Sequence, residues 1–514
     1  MPRSFVKLVN RSAFAGLFAA VSLVHCSGAG LITAPAPAIG QSYYVSTSGN
    51  DSNPGTLALP WRTIQHAANL VNAGNIVVVR GGVYNEQVKI RRSGSATGGY
   101  ITFRNYPNEA AVIDGAGLAP ADQSGLVDIQ NQSYITVQGF EIRNFKTASA
   151  SVVPVGIFIA GAGSNIRIVG NHVHDIVTSV TTADGNALGL GVYGSNGTTS
   201  ISSLLIVNNI LDHLVTGQSE SMSINGNVQN FQVIGNSVHD NNNIGIDVIG
   251  FEGTSPTAAT DQARDGVISD NTVYNITSAK NPAYGGSLGA DGIYVDGGTR
   301  ITIERNLVHH ADLGIELASE HKGKLTSNIT ARSNIVHDCY MVGISIGGYG
   351  ANRGGTDSCN IVNNTLYNND ITSTGSGEFQ IQFNATNNVF DNNIVYASAQ
   401  GIFVNNFTKS AAAPATLNHN LYYSSVGASN GVWLWNNITR TGLAAFKSAT
   451  GNDAASQFAT PLFTNATAGD FHVAATSPAV NAGTNLGATI EGTLDFAQNA
   501  RIKGASIDIG AYEQ

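Results

Sequence analysis

IRIVGNHVHDI (166–176), FQVIGNSVHDN (231–241), GVISDNTVYNI (266–276), ITIERNLVHHA (301–311), ITARSNIVHDC (329–339), NIVNNTLYNND (360–370) and VFDNNIVYASA (389–399) are one pattern written seven times. Each begins with an apolar run, reaches an asparagine, and continues as an alternating segment ending in His or Tyr with Asp or Asn nearby. The aligned asparagines are Asn171, Asn209, Asn236, Asn271, Asn306, Asn334, Asn364, Asn393 and Asn420, at successive spacings of 38, 27, 35, 35, 28, 30, 29 and 27 residues. A period near thirty, made of short β-rich runs with variable insertions, is the signature of a solenoid. A second strand-like run follows in most repeats: GIDVIG (245–250), DGIYVDGG (291–298), GIELAS (314–319), GISIGG (343–348), GIFVNN (401–406) and GVWLWN (431–436). Aliphatic residues at alternate positions put one face of each run inside the coil.

Composition agrees. Of 514 residues, 59 are glycine and only 11% are charged, and asparagine is abundant. Asn and Gly tolerate left-handed backbone, so this is a chain that turns often rather than a helical one. A formal charge of −9 excludes nucleic acid as a partner, since phosphate binding needs a basic footprint. An acidic polysaccharide would need a local basic patch or a bridging metal ion.

Residues 1–38 read as a signal peptide and linker. Arg3, Lys7 and Arg11 precede a twelve-residue apolar core, Ala13 to Val24, too short to span a bilayer but suited to secretion. The expected location is secreted, periplasmic or cell-surface, with Cys26 a lipidation candidate despite the unsuitable His25 before it. No other stretch is long and apolar enough for a membrane span, and a monomer is expected. Residues 39–100 form an N-terminal cap and first coils. Within them Trp61, Ile64, Ala67, Ala68 and Val71 fall at helical spacing, and a short amphipathic helix there would cover the open end of a solenoid. Residues 101–430 are the repeat, and 431–514 the C-terminal coils and cap, with a short helix at LAAFKSATG. Cys339 and Cys359 fall at different points of their repeats, which favours two buried single thiols over a disulfide.

The whole pattern is that of an all-β, right-handed parallel β-helix with a short N-terminal capping helix and a C-terminal closing segment. It resembles the pectin-lyase-type fold over roughly residues 75–430. In such a coil the asparagines would stack as an internal ladder, each amide bonding the next. His174, His239, His309 and His337 recur at one repeat position, as turn residues do. The ending SPAVNAG (477–483) with DIGAYE (508–513) resembles that of bacterial surface β-helix proteins and reads as a cap.

The chemistry concentrates between Gly289 and His321. Aligning second strands on Ile246, Ile293, Ile315, Ile344 and Ile381 puts Asp247, Tyr294, Glu316, Ser345 and Gln382 in one outward row, with Asp296 and Glu320 just beyond the strand ends. Rungs lie about 4.8 Å apart, so Asp247 and Glu316 would be roughly 9–10 Å apart. Inverting glycosidases hold their carboxyl groups about 6.5–9.5 Å apart and retaining ones about 5–5.5 Å. The candidate catalytic residues are Asp296 and Glu316 as principal acid and base, then Asp291, Asp247 and Glu320. Lys322 and Arg353 are the cations a lyase would call on. Tyr294, His321, Tyr349 and Asp312 are candidate substrate contacts, and Phe251, Trp433 or Trp435 are further aromatics for stacking on sugars.

Two families resemble this region. GADG places Asp291, and HADLG places Asp312, where the polygalacturonase core has acidic signatures, but Ala311 replaces one paired acid and Val342 the histidine before Gly343. ADGIYVD resembles the Ala-Asp-Gly segment of the calcium-dependent family 9 pectate lyases, with Asp296 where that family has its catalytic lysine. The expectation is therefore an exported polysaccharide-active enzyme, a carboxylate-based glycoside hydrolase first. The alternatives are a polysaccharide lyase using Ca²⁺, of pectate or alginate type, and a non-catalytic glycan-binding or surface β-helix protein. Ca²⁺ is the one cofactor this reading calls on, and no metal ligand set is singled out.

Overall fold

The computed structural model describes residues 40–409 and 413–514; the leader and Cys26 lie outside the described residues. The residue just before each of the nine repeat asparagines is left-handed, with φ from 50° at His419 to 64° at Gly235. One such residue bends an extended chain sharply with no loop. Glycine, Asn and Asp accept it cheaply, whereas Arg305, Ser333 and His419 each cost on the order of 1 kcal/mol. What offsets that cost is the asparagine that follows. From Asn171 to Asn420 each Nδ2 donates to the next Oδ1 at 2.9–3.3 Å. The same oxygen accepts the preceding asparagine's backbone N–H. The ladder read from the sequence is present.

The second bend uses the same device. Asp175, Asp240, Asn275, His310, Asp338 and Asn368 are left-handed, each directly after the recurring His or Tyr. In three cases the histidine Nδ1 lies 2.7 Å from the following aspartate. These histidines lie within strands rather than in turns, each just before a left-handed residue, and rings at this position stack: His239, Tyr274, His309 and His337 follow one another at 4.6–5.0 Å between rings.

Among the described residues, successive coils build three mainly parallel sheets of 16, 13 and 13 strands. One coil gives Arg264–Ser269 to the first sheet, Thr272–Ile276 to the second and Asp291–Asp296 to the third. Alternate side chains fill the interior: Ile293, Val295, Ile315 and Leu317 of the third sheet share a core with Ile301, Ile303 and Val308. Pairing begins before the sequence repeat does, with Ser42–Val45 beside Ile76–Val79. Helix Ile64–Leu70, capped by the Thr63 side chain, buries Ile64, Ala67 and Ala68.

At the other end the third sheet finishes in an antiparallel pair, Val432–Trp435 with Ile438–Thr441, followed by helix Leu443–Thr450. Trp433 is fully buried, stacked between Phe403 and Phe446. It is a core residue, which removes it from the sugar-stacking candidates. The C-terminal segment folds back along the flank of the coil: Asn363 Nδ2 donates to the Asp508 carbonyl, and Ala511 N–H to Thr365. There Arg501, 2% exposed, is bound by Glu513. Cys339 and Cys359 are both buried and free.

Candidate active site

The third sheet carries the acids. Its strands Ile246–Ile249, Asp291–Asp296, Leu313–Ala318 and Val342–Ile346 are consecutive rungs. Their register pairs Asp247 with Tyr294, Tyr294 with Glu316, and Glu316 with Ser345. Because Ile246, Ile293, Ile315 and Ile344 point into the core, this row faces outward. Tyr294 and Ala318 accordingly form a small cluster with Ile244, separate from the main core. Asp247, Tyr294 and Glu316 are nonetheless 2%, 1% and 8% exposed.

The next rung corrects one expectation. Ile381 pairs with Ile346, not Ile344, so Ser345 lies beside Gln380, and Gln382 stands two positions beyond the row. Its side chain reaches back all the same. Gln382 Nε2 donates to Glu316 Oε1 at 2.6 Å and to Ser345 Oγ at 2.7 Å. Glu316 is thereby held in one orientation by a neutral donor.

Asp296 lies one rung and two residues from Glu316, since it pairs with Ala318. Combining the rung spacing with the rise per residue separates their backbones by roughly 8 Å. Asp296 is engaged elsewhere, however. Its Oδ1 accepts the Glu320 backbone N–H at 2.9 Å, so Glu320 contributes backbone to this corner. The next residue, His321, sets Nε2 3.0 Å from Glu252 Oε1. Glu252, Asp296 and His321 each offer a ligand atom, and all three atoms lie within 4.8 Å of one another. Among the described residues this is the one such group. The bond to Glu252, with the charges of Glu252, Glu320 and Asp261, holds the His321 imidazole above its ordinary pKa.

The remaining candidates are dispersed. Asp291 opens its strand beside Leu313, at a position in phase with the inward Ile293, and is 1% exposed; it does not join the outward row. Asp312 is fully buried, and its Oδ2 accepts from Ser278 N, Ser278 Oγ, Gly289 N and Ala290 N. That carboxylate closes the loop between the second and third sheets, a role in folding rather than sugar contact. Lys322 is exposed. Arg353 lies over the Tyr349 ring at 4.7 Å, and Lys324 over Phe251 at 4.9 Å. No helix among the described residues is long and apolar enough to cross a membrane.

The model described as a Pel9A-like, right handed beta helix region matches residues 43–209, and that of the right handed beta helix region matches 155–366 and 259–443. YwoF of Bacillus subtilis, described as an uncharacterized protein, is 40% identical over 442 residues, which is 86% of this chain and 92% of that protein. Pectate lyase PEL9 of Emericella nidulans is 32% identical over 126 residues, 24% of this chain and 30% of that lyase. The crystal structure of pectate lyase Pel9A aligns with a TM-score of 0.47 at 14% identity, covering 93% of this chain and 97% of that one. By the family-model match over residues 155–443, on a coil of three parallel sheets and an asparagine ladder, the chain belongs to the right-handed parallel β-helix family.

Proposed function

We propose that the chain is an exported enzyme that hydrolyses glycosidic bonds in a polysaccharide. The observation that carries this is the outward row Asp247, Tyr294, Glu316 on three consecutive rungs. Two carboxylates two rungs apart are separated by roughly 9–10 Å at the backbone, which suits an inverting mechanism with a water between sugar and base. Glu316, fixed by Gln382, is one member and Asp247 the other. Asp296, expected to pair with Glu316, is engaged by the Glu320 N–H and grouped with Glu252 and His321. Export rests on the leader at residues 1–38.

A lyase is the second reading, supported by the similarity to pectate lyase PEL9. It needs a base at the uronate C5 hydrogen and a cation for the carboxylate. Arg353 and Lys322 are the side chains it would use. The Pel9A-like match ends at residue 209, before the first acid of the row, and so does not speak for chemistry at Asp247 or Glu316. We put hydrolysis first on the spacing of the Asp247–Glu316 row.

The test follows reducing ends and the ultraviolet absorbance of unsaturated uronate together, on neutral and uronate polysaccharides. Hydrolysis gives reducing ends without absorbance, and turnover falls by about 10²-fold or more in Glu316→Gln and in Asp247→Asn. Unchanged turnover in either variant sinks the assignment. Absorbance rising with the reducing ends would install the lyase reading, and binding without turnover on a broad panel would leave a glycan-binding protein.

A further inference from the structure

We propose that Glu252, Asp296 and His321 form a binding site for a divalent transition-metal ion. Three consecutive rungs supply one ligand each. Glu252 lies on the loop after Ile246–Ile249, Asp296 ends the strand Asp291–Asp296, and His321 lies on the loop after Leu313–Ala318. Their ligand atoms lie within 4.8 Å of one another; bonds of about 2.0–2.2 Å span at most about 4.4 Å, so the partly exposed Glu252 and His321 side chains would draw in by a few tenths of an ångström on binding. Asp296 is 3% exposed, while the Glu252 and His321 side chains are 26% and 20% exposed. The site is therefore sheltered on one side and open to solvent on the other, where water or a substrate oxygen would complete the coordination.

Charge and scaffold both point to a dication. The corner is rich in acids: the Glu252 and Asp296 carboxylates lie within 4.8 Å of the imidazole nitrogen, and Glu320 and Asp261 are close by. The ligands are also held by groups outside the cluster. Asp261 accepts the N–H groups of Gly253 and Ser255 and so shapes the Glu252 loop. The His321 turn closes with Lys324 N–H on the His321 carbonyl and is seated on Gly354. A β-carbon on Gly354 would meet the Lys324 carbonyl at 2.3 Å and that of His321 at 2.7 Å. Calcium prefers an all-oxygen shell, whereas an imidazole with two carboxylates suits Zn²⁺ or Mn²⁺. The ion would tie the loops after Ile246–Ile249 and Leu313–Ala318 together across the Asp296 strand. This inference does not depend on the hydrolase reading, because neither Glu316 nor Asp247 is a ligand.

The experiment strips the full chain with a chelator and titrates it separately with Zn²⁺, Mn²⁺ and Ca²⁺ by calorimetry, with bound metal counted by elemental analysis. One Zn²⁺ or Mn²⁺ per chain is expected, with an affinity at least tenfold weaker in Glu252→Gln and in His321→Gln. Circular dichroism checks both variants, and Glu252→Gln, on a partly exposed loop, keeps the test open if the histidine variant misfolds. The absence of a stoichiometric ion, binding unchanged in both variants, or a preference for Ca²⁺ over Zn²⁺ and Mn²⁺ would each overturn the site. Turnover by Glu316→Gln bears on the hydrolase reading alone, so the two can fail separately.

Discussion

Replacing Asn306 by alanine tests the element on which the rest depends. Asn306 is fully buried in the coil between the strands that carry Asp296 and Glu316. Its Nδ2 donates to the Ile268 carbonyl, the Glu304 carbonyl and Asn334 Oδ1 at 3.0–3.1 Å. Its Oδ1 accepts both Asn271 N–H and Asn271 Nδ2 at 2.9–3.0 Å. Alanine removes all five bonds. Asn271 Nδ2 keeps the Val233 carbonyl, but the buried Asn271 backbone N–H loses the acceptor that the ladder gives it. So does the Ile268 carbonyl its amide donor. A buried polar group left unmade costs about 1–3 kcal/mol, so two such groups predict a loss of about 2–6 kcal/mol. Guanidinium unfolding reads this as a lower midpoint at unchanged slope. Thr302→Ala, one outward position in the same coil, serves as control and should stay within about 0.5 kcal/mol of the parent. If Asn306→Ala is no more damaging than Thr302→Ala, the ladder is a passenger of the fold and the reasoning fails.

Three further outcomes are expected. Gln382→Ala should lower kcat by about 10–100-fold with KM little changed, the pattern for loss of a partner that orients a reacting group; an equal rise in KM would make Gln382 a substrate contact instead. Glu378 is fully buried and its carboxyl is pushed from 4.5 up to about 8, chiefly by burial. Between those values the folded state holds a proton that the unfolded state has released, so stability falls as pH rises, by up to about 1.4 kcal/mol per unit. Glu378→Gln should therefore gain on the parent in Tm from pH 5 to pH 8, and parallel profiles would refute this. Asp270→Asn should cost about 1 kcal/mol by breaking its pair with Arg305 while leaving turnover intact, the reverse of Asp247→Asn.

The bends and the ladder were legible because each is local chemistry repeated once per coil. An asparagine after a residue that tolerates positive φ recurs whatever the insertions between repeats. The row Asp247–Tyr294–Glu316 was legible for a related reason: Ile246, Ile293 and Ile315 are successive inward positions with short strands on either side. Gln382 was misplaced because a two-residue slip is silent in a pattern of period two. Phe379 and Ile381 both present an apolar side chain to the core, and only a one-residue slip would have exposed one. The core decides between them by stacking Phe379 on Phe390, at 4.1 Å between rings. The contact of Glu252 with His321 joins loops 69 residues apart in sequence. Neither loop has periodicity, so nothing in the pattern marks that meeting.

Acids recur on the faces of this coil, and their neighbours differ from face to face. On the first sheet three acids are clamped by an arginine one rung on: Asp265 by Arg300, Asp270 by Arg305, Glu304 by Arg332. A bidentate guanidinium fixes the carboxylate as an anion and leaves it little to do but hold two rungs together. The outward row of the third sheet is built differently. Glu316 is met by an amide from Gln382, which also binds Ser345, and its rung neighbour is the phenol of Tyr294. An amide orients the carboxyl group without bringing a formal charge of its own, the setting that our proposed acid–base role for Glu316 calls for. An arginine one rung on thus braces three acids of the first sheet, whereas Glu316 takes its amide from Gln382, just past the strand two rungs on.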